Sequence, residues 1–315
     1  MKALTFIQKS LVLTCVSLVG LAGCEKKTQE SKRVSADELN ETVPKYNVKD
    51  SPTTPSSQVT VQLSDAPYAD ESKSLETYRA AGVPAIDKPW GSDEYKAAFD
   101  AIFKLGKKWE ALPRFKSAKS GALFERIVSL DNMNSVATES TPLDQRKTQV
   151  QLLMANSTQL LQYYIVRPGL YNRELVECEA FILKLVLLKI QIMDKYVSGL
   201  DSKSAEYSKQ IEEKKLMHEG VHDVVISALN PLEDWRNTST SSRLRVCEIL
   251  AEYLPDLLVQ GTPETQEYAT NRISGILKHE AEPRIKAAIS KLQDKVDRLP
   301  KRKATSQPTT RMNFN

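Results

Sequence analysis

Ala180-Phe181-Ile182-Leu183-Lys184-Leu185-Val186-Leu187-Leu188-Lys189 decides how this chain folds. Only the two lysines interrupt the apolar run, and the surrounding segment 170–197 is the most apolar of the domain. The run is too short to cross a bilayer, which takes ~20 apolar residues. A helix that is apolar on nearly every side must be surrounded by other elements. The segment is therefore predicted to be the central helix of a bundle.

Working outward, the flanking segments repeat their apolar residues at helical period and carry helix-boundary signals. Upstream, Thr141-Pro142 places a capping residue before a proline and opens a helix with Val150, Leu153, Leu160, Leu161 and Tyr164 inward, ending at Arg167-Pro168-Gly169. Farther upstream, Ser92 is a cap with Asp93 and Glu94 in the first turn and Tyr95, Phe99, Ile102 and Trp109 on one face, and a second segment runs over 121–133. Downstream, helices are predicted at 204–229, 242–254 and 263–299, the last bent or broken at Pro283. Thr262-Pro263 repeats the cap-and-proline opening. Tyr163-Tyr164 and Trp235 read as core or cap residues. Strand patterning in 92–300 is close to absent, and no repeat of fixed period occurs. The predicted fold is all-α, a multi-helix, bundle-like single domain over 92–300 behind a disordered N-terminal tether.

The tether covers 24–91. Lys, Gln, Ser, Thr and Pro dominate its first part, and Pro44, Pro52, Pro55 and Pro67 break any periodicity. Val59-Thr60-Val61-Gln62-Leu63 is its one strand-like alternation, and a short helix is predicted at 71–81. A flexible segment over 25–67 has an r.m.s. span of ~35 Å, enough to hold a domain off a surface. Residues 301–315 form a polar, basic, disordered tail. The stretch 283–315 carries nine lysines and arginines against Asp294 and Asp297, a composition suited to anionic headgroups or an acidic partner, or to a solvated helix face.

The chain opens with Lys2, Lys9, an apolar run over 11–21 and then Leu21-Ala22-Gly23-Cys24. A basic start, a short apolar core and small residues before a cut describe a secretory signal, 1–23, and not a membrane span. Leu-Ala-Gly-Cys at this position resembles the lipobox of bacterial lipoproteins. That resemblance implies diacylglycerol on the Cys24 thiol, cleavage before Cys24 and acylation of its new amino group, so the partner at this end is a membrane, reached through a lipid anchor. Because one acyl chain binds only marginally, the two or three chains matter. The resemblance also implies a periplasm-facing site on the cell membrane or the outer membrane. In enterobacterial-type lipoproteins Asp after the cysteine is the usual inner-membrane retention signal; here Glu25 and Lys26 follow, which points toward the outer membrane.

Of four cysteines, Cys15 leaves with the signal and Cys24 carries lipid. Cys178 and Cys247 remain, both on apolar helical faces. In an oxidising compartment they can bridge, and closing a loop of about 70 residues stabilises a fold by ~4 kcal/mol in the chain-entropy treatment; the other reading is two separately buried thiols. The formal charge of +4 falls by two when Lys2 and Lys9 leave with the signal, a balance that gives no reason to expect nucleic acid as a partner.

His218-Glu219-Gly220-Val221-His222 matches H-E-x-x-H. Four residues apart on a helix, two imidazoles can reach one Zn²⁺ while the intervening carboxylate takes a proton from metal-bound water. Over these five residues the chain resembles the zincin metallopeptidases. The resemblance implies His218 and His222 as ligands and Glu219 as general base, with Glu248, Glu252 or His279 open as the third ligand. The context speaks for packing. Glu212-Glu213-Lys214-Lys215 precedes the motif, Asp223 follows it, Gly220 weakens the helix and no sheet is in view. His218 and His222 share a stripe with Ile211, Val225 and Leu229, so both are predicted to point into the bundle, where imidazoles can serve carbonyls or carboxylates of neighbouring helices. A di-iron bundle needs a second Glu-x-x-His, and His279 has Ile276 at the required position.

Gly-rich phosphate loops and nucleophile elbows are missing. The leading expectation is a lipid-anchored cell-envelope protein whose helical domain binds a protein or a cell-wall or envelope component, with no cofactor. The alternative is a zinc-dependent peptidase or zinc-binding lipoprotein.

Overall fold

The computed structural model describes residues 72–88, 90–106, 112–129, 141–165, 171–233 and 238–301. The signal, Cys24, the strand-like alternation, Trp109, Trp235, the stop at Arg167-Pro168-Gly169 and the tail from 302 lie outside the described residues. Within them the helices are α1 (Leu75–Ala80), α2 (Ser92–Gly106), α3 (Gly121–Ile127), α4 (Leu143–Ile165), α5 (Asn172–Ser198), α6 (Ala205–Glu233), α7 (Thr240–Gln260), α8 (Pro263–His279) and α9 (Pro283–Asp297). No strand occurs among the described residues, so the fold is all-α. No described helix is long and apolar enough to cross a membrane.

The most apolar segment is indeed the hub. Helix α5 lies against α4, α6 and α7 and buries Phe181, Ile182, Leu185, Val186, Ile190 and Met193 among them. Lys147 near the start of α4 stands over the ring of Tyr196 near the end of α5, so the pair is antiparallel. Lys214 near the start of α6 pairs with Asp194 at 2.8 Å, which makes α5 and α6 antiparallel as well. Helix α9 packs on α7, α8 bridges α6 and α9, and α2 leans on α4. The packed region begins before residue 92, because Tyr78 of α1, Val83 and Trp90 belong to the buried core.

Local chemistry explains most boundaries. Ser74, Ser239 and Thr262 sit at N-caps and their hydroxyls accept from the backbone N–H of Thr77, Ser242 and Thr265. Ser92 is the first helical residue, and Glu94 reaches back to accept from the N–H of Gly91 at 2.9 Å. Pro283 starts α9 at its first turn and separates it from α8, so the predicted 263–299 segment is two helices.

Two prolines behave otherwise. The stop expected before Pro255 does not occur: α7 runs on to Gln260. Proline has no N–H to give the carbonyl four residues back, here that of Ala251. Lys295 Nζ, from α9, donates to that carbonyl at 2.8 Å. Helix α6 likewise continues past Leu229 and through Pro231 to Glu233. Beside that break Arg272 Nη1 donates to the carbonyl of Ile226 at 3.3 Å.

Some charges are taken into the bundle. Glu174, in the first turn of α5, accepts from the backbone N–H of Phe115 at 2.8 Å and from Arg114 Nε at 3.4 Å, which holds the segment before α3 against the helix N-terminus. Lys147 Nζ donates to Gln210 Oε1 at 2.7 Å and Glu213 Oε2 at 2.8 Å. Nearby Lys189 is buried, which lowers its pKa against the opposing pull of Glu213. Glu179, half-buried, receives no hydrogen bond or ion pair from a described residue, and its desolvation raises the carboxyl to about 8.

A carboxyl whose folded pKa lies above its ordinary value of 4.5 stabilises the fold at low pH and loses that contribution as pH rises through about 8. Glu179→Gln, which mimics the protonated acid, is therefore expected to melt close to the unmodified chain at about pH 4.5 and clearly above it at pH 8 and beyond. Thermal melts across that range check this; an equal difference at every pH would contradict it.

Candidate functional site

The H-E-x-x-H residues lie in the middle of α6, where the end of α7 and the length of α8 cross it. Helical phase sets their directions. His218 and His222 fall on one side and are partly buried, whereas Glu219 between them is exposed. Ile211, expected inward on the same stripe, is 39% exposed. Gln210, Met217, Val221, Val224 and Ala228 are buried along α6, so its buried stripe is centred to one side of the predicted one and Ile211 lies at its margin.

His218 Nδ1 lies 2.5 Å from the carbonyl oxygen of Gln260, the last residue of α7. A carbonyl can only accept, so Nδ1 carries the proton and His218 caps one of the α7 carbonyls that has no helical donor. The C-terminal end of a helix is also its negative pole. Nε2 faces Asp194 Oδ1 at 3.8 Å, too far for a hydrogen bond, and that oxygen is paired with Lys214. Gly261 makes the approach possible: a Cβ there would lie 3.3 Å from Val221 Cγ1 and 3.2 Å from Thr265 Cγ2. The turn between α7 and α8 thus presses onto α6 one turn from His218.

His222 makes a different contact. Its ring stands edge-on to Tyr268 of α8, with centroids 5.0 Å apart. Tyr268 leads to Arg272, all five of whose N–H donors are used. They reach Tyr268 Oη at 2.6 Å, Asn230 Oδ1 at 2.8 Å, both oxygens of Glu233 at 2.7 Å and the carbonyl of Ile226. The fork ties α8 to the last two turns of α6.

A zinc centre needs protein donors converging to within about 2.0–2.3 Å of one point. The candidate third ligands are not brought to the histidines. Glu248 pairs with Arg245, which also holds Glu177; Glu252 accepts from Tyr253 Oη; His279 is exposed at the end of α8. Among the described residues no group of three or more His, Cys, Asp or Glu is placed to hold a metal ion. Within the described residues His218 and His222 thus have packing partners in place of a third donor.

The cysteines are unpaired. The bridge expected between Cys178 and Cys247 is not formed: α5 and α7 each bury a free thiol. Burial pushes Cys178 well above the ordinary thiol range and Cys247 up to about 12, so neither is a thiolate nucleophile at neutral pH. Tyr164 is fully buried, as expected, and donates to the carbonyl of Pro113 at 2.6 Å. A groove of about 410 Å³ runs between α8 and α9, lined by Glu264, Glu267 and Asp297 together with Pro263, Val296 and Leu299, and includes neither histidine of the motif.

Sequence reading missed Asp194, Gln260, Tyr268 and Arg272 as partners of the motif. A proline inside a helix marks the carbonyl that needs a donor, but nothing local marks which distant side chain supplies it. No protein family matches the chain, and neither curated proteins nor solved structures gave a match.

The geometry gives His218 a packing contact and leaves Glu219 exposed. His218→Ala removes the donor to Gln260 and is expected to destabilise the fold by about 1–3 kcal/mol, whereas Glu219→Gln at an exposed position should stay within about 0.5 kcal/mol. Denaturant titration of both variants checks this, and a costly Glu219→Gln beside a neutral His218→Ala would contradict it.

Proposed function

We propose that this chain is a lipid-anchored protein of the bacterial cell envelope, tethered to a membrane through acyl chains on Cys24, whose helical domain binds an envelope protein or a cell-wall component and catalyses no reaction. The observation that carries the reading is Leu21-Ala22-Gly23-Cys24 behind a basic, apolar leader. Two or three acyl chains give stable attachment without a spanning helix. The long polar stretch after Cys24 supplies reach from the surface.

Binding is supported over catalysis by what the chemistry-bearing residues do. His218 and His222 serve a carbonyl and a ring of neighbouring helices, and the two thiols of the bundle are buried and protonated. Glu25 after the lipidated cysteine favours the outer membrane as the site of the anchor.

The anchor is tested in the producing bacterium. Cys24→Ala is expected to accumulate as uncleaved precursor or to leave the membrane fraction, because thiol acylation precedes cleavage in the pathway the motif resembles. Normal processing together with membrane retention of that variant, judged by fractionation and precursor size, would overturn the reading.

A further inference from the structure

Helix α9 turns Ile285, Ile289, Leu292 and Val296 into the bundle. Its other side carries Arg284, Lys291, Lys295 and Arg298, spaced by seven, four and three residues. At 100° per residue these four fall within about 60° of one another, so they form one row about 21 Å long. All four are exposed. Lys295 donates to Ala251, while Arg284, Lys291 and Arg298 make no ion pair or side-chain hydrogen bond with a described residue. Asp294 lies beside the row, and Asp297 is turned to Gln293, whose Nε2 donates to it at 2.8 Å. Lys286 lies on another side of α9, Lys301 follows the row, and the sequence continues with Arg302 and Lys303.

We propose that this face of α9 docks the domain onto an anionic phospholipid surface. The inference rests on the lipid-anchored reading, since the anchor confines the domain to a bilayer. The chemistry of the face selects headgroups over a protein. Protein interfaces draw their strength from large apolar or aromatic anchors in desolvated pockets. The exposed apolar residues of α9 are Pro283 and Ala287, neither of them large or aromatic, and the large exposed hydrophobics among the described residues, Ile211 and Val259, lie on α6 and α7. A convex row of long, free cations instead suits a fluid layer of negative headgroups that adjusts to it. Each cation held within a Debye length of such a surface raises partitioning about five-fold. Three free cations therefore account for about a hundredfold, and the acyl chains and the row together give the domain a preferred orientation.

The test uses the full chain made by cell-free translation without membranes, which is neither cleaved nor acylated. Flotation is compared on phosphatidylcholine vesicles and on vesicles that also contain phosphatidylglycerol. Any binding by the apolar leader is common to both, so the excess on anionic vesicles reports the row. The unmodified chain is expected to show a salt-sensitive excess that falls about a hundredfold in Arg284→Gln/Lys291→Gln/Arg298→Gln. A control of equal charge, Lys203→Gln/Lys209→Gln/Lys215→Gln on and before α6, is expected to keep most of it. No excess in the unmodified chain would overturn the proposal and leave the row to an acidic protein; an equal loss in both triple variants would overturn it in favour of net charge alone. Because no acyl chain is present, this outcome is independent of the fate of Cys24→Ala.

Discussion

Carbonyl groups that a helix cannot satisfy for itself set the design of this bundle. Each α-helix leaves four at its C-terminal end, and each internal proline frees another. Side chains from neighbouring helices take them up. Tyr95 of α2 donates to Ile127 at the end of α3, and Arg243 of α7 donates to Leu232 at the end of α6 at 2.7 Å. His218 of α6 donates to Gln260 at the end of α7, and Lys295 of α9 to Ala251 opposite Pro255. A made bond of this kind contributes about 1 kcal/mol, while a buried carbonyl left without one costs about 1–3 kcal/mol. Against a total stability of 5–15 kcal/mol typical of domains, the three contacts at helix ends weigh on which ends can lie inside, while the solvent-exposed Lys295 contact serves a carbonyl within α7. They also fix the sliding register between helices, which apolar packing alone leaves loosely determined.

The same constraint accounts for the H-E-x-x-H motif. Two histidines four residues apart share a helix face, which is what a metal would need and equally what contact with two crossing helices needs. Here the first meets the end of α7 and the second the ring of Tyr268 on α8. The choice between these uses lies in residues 42 and 46 positions away, which no local pattern announces.

Where the determinants were local, the sequence was legible. The apolar run in α5, the hydroxyl cap of α8 at Thr262 and the break at Pro283 all appear as periodicity and capping chemistry imply. Pro255 and Pro231 show the opposite case. Local steric rules end a helix at proline, yet α7 and α6 continue because Lys295 and the packing of both flanks outweigh the lost hydrogen bond. Ile211 was misjudged because the polar Gln210, buried by its bond to Lys147 of α4, belongs to the buried stripe and apolar periodicity does not count it. Cys178 and Cys247 share apolar surroundings, which suit a bridge, but apolar position fixes burial and not pairing. The acidic and basic distribution of α9 follows from the same packing: Lys295 turns back to Ala251, and Arg284, Lys291 and Arg298 are left to solvent.

The claim that neighbouring helices supply the missing donors is tested most directly at Pro255, where the partner can be replaced from within the helix. In Pro255→Ala the N–H of residue 255 is restored to the carbonyl of Ala251, which no longer needs Lys295. Equilibrium denaturation of Lys295→Met, Pro255→Ala and the double variant gives the coupling between them. Lys295→Met is expected to cost about 0.5–1 kcal/mol in the unmodified chain, since water reaches this contact, and less than half of that beside alanine. An equal cost in both backgrounds would show that Lys295 stabilises α7 by some other means.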